Sequence, residues 1–483
     1  MEKTNAVELG ISTQAIPHQE TTAHSLSFSD YNGRLFRWKG GLYRAIPAEQ
    51  APLYQELFDC GAVRSLAQKK LLVPTALTNL TLGPANMVLR HRRIPFIAYP
   101  SEWCNGMFKA AALHHLDVCI ELDRYDCTTD DAHPINLLFE GCDPYFVDFG
   151  SINRLPSNRW YPWPWPPYEQ FCQTFLYPLL LKAHGQGRLA KWCLHDFENG
   201  VLKSDLEALI DRPLSRLRLA EAGSRLVHQS GQPLNRTPAA LRPLVQKGYG
   251  AAGRFIWRLS GMKSSRREFL QQVKEDVAAI SFPSDVKIRP GDRAIPLPKN
   301  YPQVHQILSD LNPHSVLDIN SGDSHGHYAQ LAASEGARVI ATDSKESNLS
   351  DLYQQAKTAN ANILPVWLNI FSPSDGLSND FLEPAHRRLQ CELVVALSLD
   401  RELMLKRGFN FVTQRLATFS RRWLLIEFVH QSDPVLQTRW QERTIDCPWY
   451  TLDNLIAALE APFAQVQVLP SFSNTRRLLL CQK

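Results

Sequence analysis

The chain has 483 residues, 44% hydrophobic and 21% charged. That length suits two to four domains of roughly 150 residues, and the composition excludes wholesale disorder and collagen-like repeats. No apolar stretch reaches the ~18 residues a spanning helix needs, no apolar signal core opens the chain, and the ten cysteines form no CxxC pair, so a cytoplasmic protein with buried thiols and no metal site is expected. The formal charge is only +4, yet residues 212–267 hold twelve Lys/Arg against the single acid Glu221. Such a run suggests an anionic partner, whether RNA, an acidic glycan or lipid headgroups; a solvated helical face is the alternative.

In chain order, residues 1–30 are polar and read as a disordered tail. Residues 31–155 read as an α+β region. In it Arg34–Ile46 places Gly40-Gly41 between two strand-like runs, a hairpin signal. Helical periodicity covers 47–70 and 106–124, Ile94–Tyr99 reads as extended, and Phe146–Asp148 as a short strand. Residues 156–280 open on Trp160–Tyr168, too proline-rich for helix and too aromatic for a free linker, which is expected to lie against a domain surface. The rest of that span is basic and mostly helical. A proline-rich linker over 281–301 follows. From 302 to 483, strand-like runs at Ser315–Ile319, Ala337–Thr342, Asn362–Leu368, Glu392–Leu399 and Arg422–Val429 alternate with helical stretches, the pattern of a parallel α/β sheet. Ala464–Leu469 and Arg477–Cys481 have no helix between them, so the last reads as an antiparallel edge strand.

The first of these strands ends in Val316-Leu-Asp-Ile-Asn-Ser-Gly-Asp-Ser-His-Gly326 and feeds a helix. A turn of small residues there lets backbone N–H groups approach a ligand. Asp343 ends the second strand 25 residues after Asp318, where a carboxylate can accept the hydroxyls of a ribose. The stretches VLDINSGDSHGHYAQLA and ARVIATDS resemble motifs I and II of class I S-adenosylmethionine-dependent methyltransferases, a family with a Rossmann-like seven-stranded sheet whose last strand is reversed. The resemblance implies S-adenosyl-L-methionine as cofactor. It places Asp318, Asn320, Gly322 and Ser324 along its methionine and ribose side, Asp343 on the ribose, Asn369 facing adenine and Leu397 beside the transferred methyl. Asn320 and Ser324 stand where the family has glycines, and His325 reads as an insertion. Methyl transfer is a direct displacement that needs alignment rather than a protein nucleophile. An acceptor of high pKa would want a base, and Asp400, Glu427, His430 and Tyr450 are the nearest by topology.

A second constellation, Asp131-Ala-His-Pro-Ile-Asn136 followed by Val147-Asp-Phe-Gly150, resembles the catalytic loop and metal-binding turn of protein-kinase-like phosphotransferases. The resemblance implies Asp131 as proton acceptor, with Asn136 and Asp148 on magnesium. No GxGxxG precedes it, and Arg44 stands where the phosphate-pairing lysine would be, so the set is read as a structural remnant. The segments IPFIAYPSEWCNGMFKAAALHHLD, TDDAHPINLLF, PYFVDFGSI and YEQFCQTFLYPLLL together resemble large bacterial methyltransferases of the host-specific nodulation type. There a kinase-like region precedes the methyltransferase domain, and the resemblance spans roughly residues 30–480. The expectation is a methyltransferase of unknown acceptor. The alternatives are a catalytically silent scaffold binding an anionic partner through 212–267, and a phosphotransferase.

Overall fold

Lys39 and Gly40 both take positive φ, 45° and 77°, so the hairpin expected from Gly40-Gly41 forms with its two-residue turn one position earlier, Gly41 pairing with Trp38 as the first residue of the second strand. The computed structural model describes residues 14–24, 27, 33–83, 87–155, 165–196, 199–210, 265–283, 297–372, 382–397, 399, 401–434 and 447–483. The first strands are β1 (Gln14–Ala15), β2 (Thr22–Ala23), β3 (Arg34–Trp38), β4 (Gly41–Ile46), β5 (Thr75–Leu77), β6 (Leu80–Thr81) and β7 (Met87–His91). Five of them form an antiparallel sheet in the order β2-β3-β4-β7-β5. The helices Ala51–Asp59 and Ala62–Gln68 cover it, sharing a core of Ile46, Tyr54, Leu57, Val63 and Leu66 with Phe146 and Phe149. The tail expected over residues 1–30 is thus ordered in part. β1 pairs with β6 and β2 with β3, because backbone donors and acceptors on a sheet edge recruit even a polar segment.

Next come β8 (Cys127–Thr129), β9 (Leu137–Glu140), β10 (Asp143–Phe146) and β11 (Ile152–Arg154). The strand expected at Phe146–Asp148 lies earlier: Asp143–Phe146 folds back on Leu137–Glu140 around Gly141, at φ 59°. The helix Asn105–Leu122 passes through the middle of this half and buries residues around most of its circumference. Of Trp160–Tyr168, expected to lie against a domain surface, the described part begins at Trp165, which is fully buried against His115 and Phe171. A large ring gains most when it is covered on all sides. Of the basic segment, residues 212–264 lie outside the described residues. Its end enters the helix Arg266–Ala278, where Arg266 is ion-paired with Asp123.

The carboxyl-terminal strands are β12 (Ser315–Ile319), β13 (Arg338–Asp343), β14 (Ile363–Trp367), β15 (Cys391–Ala396), β16 (Ser420–Val429), β17 (Gln465–Pro470) and β18 (Arg476–Gln482). They form one seven-stranded sheet in the order β14-β13-β12-β15-β16-β18-β17. β12 to β16 run parallel, and β18 is antiparallel to both its neighbours. β12 and β14 are buried at every position, as a parallel strand covered on both faces must be. The last strand is therefore not the edge. β18 inserts between β16 and β17 because its Leu478, Leu479 and Cys481 are fully buried, whereas β17 exposes Gln465 and Gln467 and suits the rim.

The linker at 281–301 does not separate two cores. One apolar cluster runs from Phe96 to Cys481 and joins Trp103, Phe108 and Phe175 to the sheet. Polar clasps reinforce it. Glu346 accepts from the Asn105 backbone N–H (2.7 Å) and amide (3.0 Å), and Arg388 is ion-paired with Glu102, both buried. Among the described residues no helix is long and apolar enough to cross a membrane.

Candidate functional site

Two places gather the residues singled out in the sequence. The first lies at the carboxyl ends of β12 and β13, the switch-point end of the sheet. Asn320 takes the left-handed conformation, φ 55°, and starts a tight turn over Ser321–Ser324; His325 and Gly326 then take φ 52° and 75° before the helix His327–Ser334. The inserted residue is accommodated as this second left-handed step. Asp318 pins the turn, accepting from the Ser321 hydroxyl at 2.6 Å and from the Ala329 N–H. Burial pushes its carboxyl up to about 7. Ser324 points back into its own loop, its hydroxyl donating to the Ser321 carbonyl at 2.9 Å.

Asp343 is served by three protein donors. Its Oδ2 accepts from Gly322 N–H (2.9 Å) and the Asn348 amide (3.1 Å), and its Oδ1 from Lys345 N–H (2.7 Å). Gly322 lies directly on Asn348, so a Cβ at 322 would overlap that side chain. A carboxylate offers about four acceptor sites, which leaves one for a ligand while Asn348 stays in place. The donor and acceptor set suits a ribose diol once that amide yields.

The other expected residues are dispersed. Asn369 follows β14 and is exposed, its amide oxygen accepting from Phe371 N–H at 3.1 Å. Leu397 is buried just past β15. Asp400 lies outside the described residues. Glu427 is buried and tied to Asn300 (3.1 Å), Ser471 (3.2 Å) and Arg476 (3.0 Å), and burial raises its pKa. Tyr450 is packed between Phe409 and Phe428. His430 is exposed, and its Nδ1 accepts from Ser432 N–H at 3.2 Å. None of these three presents an unengaged base. Sequence reasoning missed Asn348, whose role depends on the next helix folding back over the turn, and Lys191. The latter reaches the end of β14, donating to the Trp367 carbonyl at 2.7 Å and lying 4.3 Å from that ring; burial lowers its pKa to about 8.

The second place is a cavity of about 820 Å³ lined by Asp131, Asn136 and Asp148 together with Arg44 and His91. The residues of the second constellation do converge. Arg44, 1% exposed, donates from Nη2 to Asp148 Oδ1 at 3.2 Å and from Nη1 to the Gly33 carbonyl at 2.9 Å. Asn136 donates its amide to Asp131, and Asn136 O accepts from Val147 N–H at 2.9 Å, joining the two motifs. Tyr54 donates to the Gly150 carbonyl at 2.9 Å and packs on Phe149. Among the described residues no cluster of three His, Cys, Asp or Glu is placed to hold a metal ion.

Five parallel strands followed by an antiparallel strand inserted next to the rim, with a turn and an acid ending the first two, match the sheet that the resemblance to class I methyltransferases implies. No family model matches the chain. Over 396 residues it is 24% identical to the nodulation protein NoeA of Rhizobium meliloti (strain 1021), covering 78% of each chain, which agrees with the nodulation-type resemblance of its motifs. Among solved structures, monomeric WbdD is 18% identical, with 40% of this chain and 42% of that one covered at a TM-score of 0.29. The N-methyltransferase NodS from Bradyrhizobium japonicum WM9 is 12% identical, with 38% and 96% covered at 0.28.

Proposed function

We propose that the chain is an S-adenosylmethionine-dependent methyltransferase whose cofactor sits across the carboxyl ends of β12 and β13. The observation that carries this reading is Asp343 hydrogen-bonded to the Gly322 turn at the head of a sheet of this strand order. Asp343 would hold the ribose hydroxyls, using its remaining acceptor site and the one that Asn348 releases. The Asn320–Ser324 turn would lie along the methionine side, with Asn369 and Leu397 at the ends of the neighbouring strands. When bound, the cofactor supplies an electrophilic methyl group. The chain's own part is positioning: Asp318 fixes the turn, and Trp367, paired with Asp343 across the sheet, stands beside it. Alignment in a dry site lowers the barrier without a nucleophile from the protein.

A second reading is favoured by the three protein donors already on Asp343: the same loop, held shut, makes a cofactor-free scaffold. Thermal unfolding separates the two. S-adenosylhomocysteine at 100 times its dissociation constant adds about 2.7 kcal/mol of stability by mass action. A midpoint unmoved at millimolar ligand supports the scaffold.

A further inference from the structure

The 820 Å³ cavity is lined by both halves of the chain. Arg44, His91 and Asp148 come from the amino-terminal half. Arg387 comes from the short helix before β15, and Arg421 from the start of β16. Seven arginines and four acids line it. Three of the arginines are committed, Arg44 to Asp148, Arg92 to Glu140 and Arg388 to Glu102. Arg37, Arg93, Arg387 and Arg421 are exposed, and among the described residues no carboxylate pairs with them. Four unpaired guanidinium groups around one concave space focus a positive potential into it, and their planar forks match phosphate oxygens.

The cavity has an apolar side too, formed by Val73, Ile94, Ile135 and Val147. Against it lies His91, 5% exposed, whose Nε2 is buried without a partner. Thr75 donates its hydroxyl proton to the Val73 carbonyl (2.9 Å), so its oxygen accepts from His91 Nδ1 (2.9 Å) and Nε2 is left as an acceptor. A buried acceptor without a donor is costly, and a ligand hydroxyl or amino group would satisfy it. The two groups that the kinase-like motif would turn toward a metal are engaged by protein partners instead: Asp148 accepts from Arg44, and Asn136 donates its amide to Asp131.

We propose that this cavity binds a multiply charged phosphate ester, held by arginines of both halves of the chain and without a divalent cation. A nucleoside triphosphate and a sugar phosphate share that chemistry, and the volume is within the range of small-ligand sites. The proposal is independent of the methyltransferase reading, because it concerns another face of the protein and its assay contains no S-adenosyl compound.

The test is calorimetric titration of the full chain in EDTA, and again in magnesium, with inorganic pyrophosphate, ATP and glucose 1-phosphate as separate probes. Binding of at least one probe in EDTA is expected, weakening as salt rises because exposed charges are screened. ATP binding against no glucose 1-phosphate binding identifies a nucleotide; the converse identifies a sugar phosphate. The double variant Arg387→Gln/Arg421→Gln should lose at least tenfold in affinity while its ligand-free thermal midpoint stays at the wild-type value. No binding in EDTA by any probe, binding that requires magnesium, or a double variant that binds like wild type would each overturn the proposal.

Discussion

Arg44 Nη2 donates to Asp148 Oδ1 across 3.2 Å, fastening the middle of β4 to a turn 104 residues further on. The arginine is 1% exposed and the carboxylate 21%. Removing one member of such a pair strands the other charge, which costs more than the pair contributes. Asp148→Asn should therefore destabilise the protein by roughly 2–3 kcal/mol, below the figure for a fully buried pair. Urea unfolding checks this, and an unchanged midpoint would mean that the pair does not hold the two segments together.

Asn348 competes with a ribose for Asp343 Oδ2. A net hydrogen bond is worth about 0.5–1.5 kcal/mol, so Asn348→Ala should tighten S-adenosylhomocysteine binding by up to about tenfold. Equilibrium dialysis reads the change. Weaker binding in the variant would make Asn348 a ligand rather than a competitor.

Lys182, 3% exposed, donates to Asn105 Oδ1 at 3.2 Å, and Asn105 in turn donates to Glu346. Burial lowers the Lys182 pKa, and the nearby Glu346 charge opposes that fall. Glu346→Ala removes the opposing charge, so the ammonium becomes harder to bury. A lysine whose folded pKa is depressed holds fewer protons folded than unfolded, and stability on its account rises with pH through that window. The variant's deficit should be about 2–3 kcal/mol at neutral pH and smaller at pH 10, as thermal melts at the two values would show. An equal deficit at both would remove Lys182 from the account.

Asp318 runs the other way. Its folded pKa, pushed up by burial to about 7 against 3.8 unfolded, means the folded chain holds an extra proton between those values. Stability on its account is greatest at the acid end and falls as pH rises from about 4 to 7. Asp318→Asn keeps an acceptor for Ser321 and Ala329 but cannot ionise, so it should lose that slope. Its midpoint, relative to wild type, should improve from pH 5 to pH 8. A parallel pair of profiles would contradict the assignment.

The parallel strands were legible to within one or two residues at most ends because burial on both faces leaves continuous apolar runs such as Val316-Leu317 and Ile363-Leu364. The turn between Asp318 and Gly326 was legible from its small residues. Pairing partners were not. Nothing in the periodicity of Leu478-Leu479-Leu480 says that β18 slides between β16 and β17, since strand order is set by tertiary packing. The same holds for Asn348, which acts through the fold-back of a helix onto Gly322. Arg387 and Arg421, remote in sequence from Asp131 and Asp148, share a cavity with them only because the two halves pack as one core.

The central claim is that a cofactor is held at Asp343, and calorimetric titration of wild type and Asp343→Ala with S-adenosylhomocysteine tests it most directly. The account predicts saturable one-site binding by wild type and at least tenfold weaker binding by the variant, which loses the ribose acceptor proposed for the site. Wild type giving no heat at millimolar ligand, or the variant binding as tightly as wild type, would contradict it.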